Sequence, residues 1–175
     1  MTVPAGYVVR PARPDDVPAL PEVERRASAL FDGLAVAEGV AEDVTTLADF
    51  HAGERAGLLW VAATAAGEVV GFALVEMLDG HAHLDEVDVL PAHGRRGLGA
   101  ALVRAVCAFA ARAGLAAVTL TTFRDVPWNQ PFYARLGFRP LAPEAWGPGL
   151  VRTVAKEAAI GLDPGDRVVM RCDIG

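Results

Sequence analysis

Lysine is almost absent from this 175-residue chain; the one present is Lys156. The other basic residues are arginines, scattered rather than striped, and 22 acidic residues outweigh the 16 basic ones for a net charge of −6. Phosphate affinity depends on clustered positive charge, so nucleic acid is not an expected partner. Cysteine is scarce too: Cys107 and Cys172 allow at most one bridge and read as small apolar residues. With the four histidines they show no zinc spacing, so no metal site is expected. The chain is 53% hydrophobic with a mean hydropathy of +0.30. Even so, no apolar run approaches the roughly 18 to 20 residues that a membrane span needs. Met1-Thr2-Val3-Pro4 lacks the charged head and apolar stretch of a signal peptide, and the expected location is cytoplasmic. No Ser-His-Asp or Cys-His constellation argues for a covalent nucleophile. Repeats, low-complexity tails and breaks in composition are missing as well, so one domain over residues 1–175 is expected.

What is present is an alternation of short strands and helices. A strand over 7–10 precedes a helix over 17–31, capped by Asp15 or Asp16, and a second helix near 42–51. Runs at 58–64, 69–77 and 81–90, separated by Gly67 and by Asp79-Gly80, read as three successive antiparallel strands. A helix over 98–112 carries Leu102, Val106 and Phe109 on one face, and a strand over 117–123 follows, parallel to 81–90 because a helix joins them. A short helix reaching Leu136, a strand over 138–141, a helix over 150–160 and a last strand over 166–174 complete the chain. The predicted fold class is α/β, a mixed sheet of six to seven strands flanked by helices. The stretch 142–165 is long for a connection between two strands, and reads either as a lid or homodimer contact or as core packing through Leu150, Val154 and Ala158.

The segment from Val89 to Ala100 is the most informative. A strand stops at Pro91, a Gly/Arg turn follows through Gly94, Arg95, Arg96 and Gly97, and an apolar helix pattern starts at Leu98. Such a turn presents unpaired backbone N–H groups at the positive end of a helix dipole, which binds phosphate without needing a side chain. It is not a P-loop, because no Lys follows the glycines, and it is not a dinucleotide fingerprint, because Leu102 stands where the third glycine belongs. An ordinary tight turn is the plain alternative.

Val89-x-Pro91-x-x-Gly94-Arg95-Arg96-Gly97-Leu98-Gly99-Ala100 resembles the acyl-CoA pyrophosphate loop of the GCN5-related N-acetyltransferases. Phe132-Tyr133-Ala134-Arg135-Leu136-Gly137-Phe138 is similar to a second block of the same family, in the right order and at a fitting distance. The likeness covers about residues 57–141, with Gly94 standing where the family usually has Gln or Arg. It implies a mostly antiparallel sheet with a parallel pair splayed at the cofactor cleft. It also implies acetyl-CoA as cosubstrate and an amine of a small molecule or peptide as acceptor, attacked directly in a ternary complex.

By the same resemblance, Gly94, Arg95, Arg96, Gly97, Leu98, Gly99 and Ala100 hold the pyrophosphate. Backbone groups of Val87 and Val89 pair with the pantetheine arm as an added strand would, and Asn129 contacts the cofactor, although it stands nearer to the tyrosine than is usual. Tyr133, a phenol protonated at neutral pH, is the implied acid for the leaving thiolate. The base is implied on the strand before the loop, with His83 ranked first, then Glu86, then Asp85. Strict alternation puts His83 and Asp85 on one face and Glu86 and Asp88 on the other, unless a bulge shifts the phase. Asp32, Glu38, Glu42 and Asp43 hint at a cationic acceptor, while Trp128 and Trp146 are candidate pocket walls. Two rival readings stay open: a non-catalytic acyl-CoA-binding regulatory module, and a nucleotide-binding α/β protein.

Overall fold

The computed structural model describes residues 3–34, 36, 39–40 and 44–175. Seven strands form one sheet: β1 (Tyr7–Pro11), β2 (Leu59–Thr64), β3 (Val69–Leu78), β4 (His81–Val89), β5 (Ala117–Phe123), β6 (Arg139–Pro140) and β7 (Arg167–Asp173). Their order is β1-β2-β3-β4-β5-β7-β6, antiparallel throughout except for the parallel pair β4–β5. The mixed α/β sheet with a single parallel pair is the arrangement expected.

Helices cover both faces. On one side lies α3 (Leu98–Arg112), burying Leu98, Ala101, Leu102, Ala105 and Val106 at helical spacing. Its Phe109 ring meets Trp60 of β2 at 5.2 Å between centroids. On the other side lie α1 (Leu20–Ser28) and α2 (Leu47–Ala56), where Phe50 packs edge to face on Phe72 at 5.0 Å. The long helix expected over 17–31 is broken into a 3-10 turn Pro14–Ala19, α1, and a second 3-10 turn Ala29–Phe31. Pro18 and Pro21 lack the N–H groups that a continuous α-helix would need there. The helix expected near 42–51 begins later, at Leu47, because Thr46 and Asp49 form a reciprocal capping box; residues 42 and 43 lie outside the described residues.

The 142–165 stretch carries α5 (Pro148–Ala159), which lies on the α1 and α2 face of the sheet. Asp79, in the β3–β4 turn, accepts the N–H groups of Gly149 (2.8 Å) and Leu150 (3.1 Å), so a side chain from another element caps this helix. Those backbone N–H bonds, Gly149's foremost, hold the Asp79 carboxyl below its ordinary range. A Cβ on Gly147 would come within 2.4 Å of the Asp79 carboxylate, which explains glycine at that position. Farther along, Glu157 pairs with Arg167 of β7 at 3.0 Å and accepts the Thr121 hydroxyl. Arg167 also stacks over Phe123 at 4.6 Å. The helix is fastened to the sheet at both ends. Of the residues read as its packing face, Leu150 is buried, Val154 is half-buried and Ala158 is exposed.

Candidate active site

β4 and β5 pair over only three residues, Ala82–Leu84 with Val118–Leu120. Beyond Leu84 the strands part. The register of β4 against β3 slips at the same place, with Leu84 opposite Val75 but Glu86 opposite Leu74, so Asp85 is the extra residue of a β-bulge. The consequence is chemical. Past the bulge the alternation changes phase, and Glu86 and Asp88 join His83 on the face that carries α1, α2 and α5. The β4–β5 ladder ends at Leu84, and beyond it Val87 and Val89 turn their side chains toward α3.

That stretch of β4 runs into the amide turn. Pro91–His93 is one 3-10 turn, closed by bonds from His93 N–H to Leu90 and from Gly94 N–H to Pro91. Arg95 then takes φ +56° and Gly97 takes φ +87° at the N-cap of α3. Alternating left-handed residues with extended or right-handed ones turns successive N–H groups to one side. The N–H groups of Leu98, Gly99 and Ala100 have no carbonyl one turn back to bind. A Cβ at Gly97 would find Pro4 at 3.9 Å, and one at Gly99 would touch Phe132 at 3.5 Å. The Arg96 side chain donates to the Tyr7 hydroxyl at 3.1 Å and to the Ala92 carbonyl at 3.4 Å.

Across the cleft stands Tyr133, on the short helix α4 (Gln130–Arg135). Its ring packs edge to face on Phe132 at 5.0 Å and on Phe138 at 5.8 Å, and its hydroxyl makes no hydrogen bond among the described residues. Burial, and after it the carboxylates of Glu86 and then Asp88, push the phenol well above its ordinary range, so it stays protonated. Asn129 occupies the N-cap position of α4, but its side chain reaches back to donate to Thr122 of β5 at 3.0 Å rather than capping the helix.

The three residues ranked for the proton acceptor separate. His83 is 1% exposed, and its Nδ1 lies 2.9 Å from the Thr119 hydroxyl under α5. Burial, and secondarily the Arg167 charge, lower its pKa to about 4. An imidazole so placed is neutral, enclosed and weakly basic. Asp85 projects outward on the bulge and is exposed. Glu86 is half-buried. Asp88, which shares the face of Glu86 with or without the bulge, was not among the candidates. Burial, and the neighbouring Glu24 of α1, raise its carboxyl to about 8. Glu24 in turn is buried and accepts the Thr45 N–H at 2.8 Å.

A cavity of about 390 Å³ opens beside the bulge, with Thr45, Asp49, Glu76, Asp85, Glu86 and Lys156 among its lining. Neither candidate tryptophan reaches it. Trp146 donates to the Leu141 carbonyl at 3.0 Å, and Trp128 lies 6.2 Å from Phe31. Of the acidic residues proposed for the acceptor side, Asp32 is exposed, and Glu38, Glu42 and Asp43 lie outside the described residues. Among the described residues no group of three His, Cys, Asp or Glu side chains is gathered to hold a metal ion, and no helix is long and apolar enough to cross a membrane.

The protonation of His83 has a consequence for stability. Its pKa is lower in the folded protein, about 4, than in the unfolded chain, about 6.5. The unfolded state therefore binds more protons between those values. The stabilising contribution is complete above pH about 6.5 and is lost as pH falls toward about 4, on the order of 3 kcal/mol in total. His83→Gln is expected to flatten this part of the curve of Tm against pH. An unchanged acid slope in that variant would exclude His83 as its source.

The sheet splits beyond its one parallel pair, and the amide turn lies at the end of the strand that leaves the split. Residues 27–138 match the acetyltransferase (GNAT) family, and the chain belongs to that family. Its fold is shared by the PaiA N-acetyltransferase of Thermoplasma acidophilum in complex with coenzyme A, at 16% identity and a TM-score of 0.73, covering 95% of this chain and 98% of that one. Rv2747 of Mycobacterium tuberculosis, in complex with CoA and NLQ, aligns at 21% identity and a TM-score of 0.68, covering 96% and 99%. The ribosomal-protein-S18-alanine N-acetyltransferase of Escherichia coli aligns at 18% identity and a TM-score of 0.66, covering 97% and 94%.

Proposed function

We propose that this chain, acting as one domain over residues 1–175, transfers acetyl from acetyl-CoA to an amine of a small molecule or peptide. The single observation that carries the reading is the β4 edge past Leu84 that leads into the amide turn before α3. The turn fits a diphosphate: its donors converge, its backbone is held in left-handed bends before any ligand arrives, and its glycines leave room for close approach. The N–H groups of residues 95–100 hold the diphosphate, and Val87 and Val89 offer backbone groups to the amide-bearing arm as a neighbouring strand would. Asn129 fixes the start of α4 against β5 and so sets where Tyr133 stands.

Acetyl-CoA supplies an activated carbonyl whose leaving group is a thiolate. The acceptor reaches Glu86 through the cavity beside the bulge. As the amine nitrogen forms its bond to the carbonyl carbon and the carbon–sulfur bond breaks, Glu86 takes the nitrogen's proton. Tyr133 holds its own proton more tightly than a thiol, whose pKa is about 8.5. Its role is to donate a hydrogen bond to the departing sulfur; the thiol proton then comes from solvent.

The test is a panel of primary amines incubated with acetyl-CoA and followed by free-thiol release. Turnover on none of them, with acetyl-CoA bound, would convert the reading to the regulatory module. With an active amine in hand, Tyr133→Phe is expected to lower kcat about 10- to 100-fold, the range for a hydrogen bond to a developing charge. Affinity for CoA should hold, since the phenol is not among the groups that grip it. Unchanged kcat would remove Tyr133 from the reaction.

A further inference from the structure

β1 forms one margin of the sheet, and its first residue, Tyr7, reaches across to the amide turn. The Tyr7 hydroxyl lies 2.9 Å from His93 Nδ1 and accepts from Arg96 Nη1 at 3.1 Å. The other terminal nitrogen of Arg96 donates to the Ala92 carbonyl at 3.4 Å. Phenol and imidazole meet edge to face, 5.8 Å between centroids. The chain just before Tyr7 adds to this: the Tyr7 N–H closes on the Pro4 carbonyl at 3.2 Å, and Pro4 Cγ sits beside Gly97. One hydroxyl thus joins a residue before the Gly94–Arg95 bend to a residue after it.

We infer that Tyr7 is a positioning residue for cofactor capture, its hydroxyl fixing Arg96 and His93 so that the amide turn is set before a diphosphate arrives. The inference rests on the reading of that turn as the diphosphate site. Arg96 is a long side chain with much rotamer freedom, and ordering it on binding weakens affinity. Held by Tyr7 and Ala92, it brings a charge already placed at the rim of the turn, with further N–H donors uncommitted by those two bonds. Arg95 is strained at φ +56°, a conformation that persists only where the surroundings over-determine it. The clasp from Tyr7 to both flanks supplies that restraint.

Tyr7→Phe deletes the hydroxyl and keeps the ring packed on the core. Isothermal titration with CoA is expected to give a Kd raised about fivefold, the worth of one hydrogen bond, with KM for acetyl-CoA rising in step and kcat moving less than about twofold. In an Arg96→Met background the same substitution should have little further effect, because the partner it positions is gone. A wild-type Kd in Tyr7→Phe, or effects of the two substitutions that simply add, would overturn the role given to Tyr7. Failure of the wild-type protein to bind CoA would instead remove the diphosphate reading beneath it, so the two failures are distinguishable.

Discussion

Glu86→Gln is expected to lower kcat/KM about 10²- to 10³-fold while leaving CoA affinity within about twofold, in line with removal of a general base. Two placements lead to that expectation. The bulge at Asp85 puts Glu86 on the face that carries α1, α2 and α5, and the cavity beside the bulge is lined in part by Glu86. Asp85→Asn and His83→Gln serve as the comparison pair, one exposed and the other sealed under α5. If either matched the loss in Glu86→Gln, the assignment would move to it. Asp88 modulates the outcome. Its carboxyl stays protonated until about pH 8, so a second negative charge develops beside Glu86 only as pH rises through that value. A neighbouring anion makes Glu86 more basic, and Asp88→Asn should therefore remove a change in kcat/KM centred near pH 8. The acceptor's own ionisation would remain.

Gly97→Val is expected to weaken CoA binding about 100-fold, on the usual cost of a strained backbone at a ligand-gripping turn. At φ +87° a β-branched residue is an outlier, while the nearest protein atom to the new Cβ, on Pro4, is at an uncrowded 3.9 Å. The defect is therefore one of backbone conformation and of bulk facing the ligand, not of internal crowding. Gly97→Asn separates the two, since asparagine tolerates left-handed geometry at modest cost. Titration calorimetry should place it between wild type and valine. A valine variant that binds CoA normally would mean that the turn does not grip the diphosphate.

Much of this architecture was legible in the residues. Strand periods, the Gly/Arg turn and the apolar stripe of α3 are local signals, and each element they predict is present within a few residues. The errors arose where neighbours override local pattern. Helix 17–31 breaks at Pro18 and Pro21, and the strand over 138–141 loses its first residue, because the Phe138 N–H is taken up by the Tyr133 carbonyl of α4. In the site, the Gly/Arg turn before α3 and the short helix that carries Tyr133 are both present where the sequence expects them. The proton acceptor was the hard part. A single extra residue at Asp85 exchanges the faces of everything after it, and nothing in His81 to Val89 reveals whether β3 will accommodate that residue. The burial of His83 against Thr119 was equally hidden, since the β4–β5 pairing that creates it joins residues 36 positions apart.

The brevity of the β4–β5 ladder reaches beyond the site. Strands β1–β4 and β5–β7 are two panels hung on a three-rung spine, spanned on one side by α3 and on the other by the riveted α5. A ligand lying along the margin of β4 past Leu84 would act as a temporary eighth strand in the gap. Its binding energy would then be shared by the scaffold as rigidity.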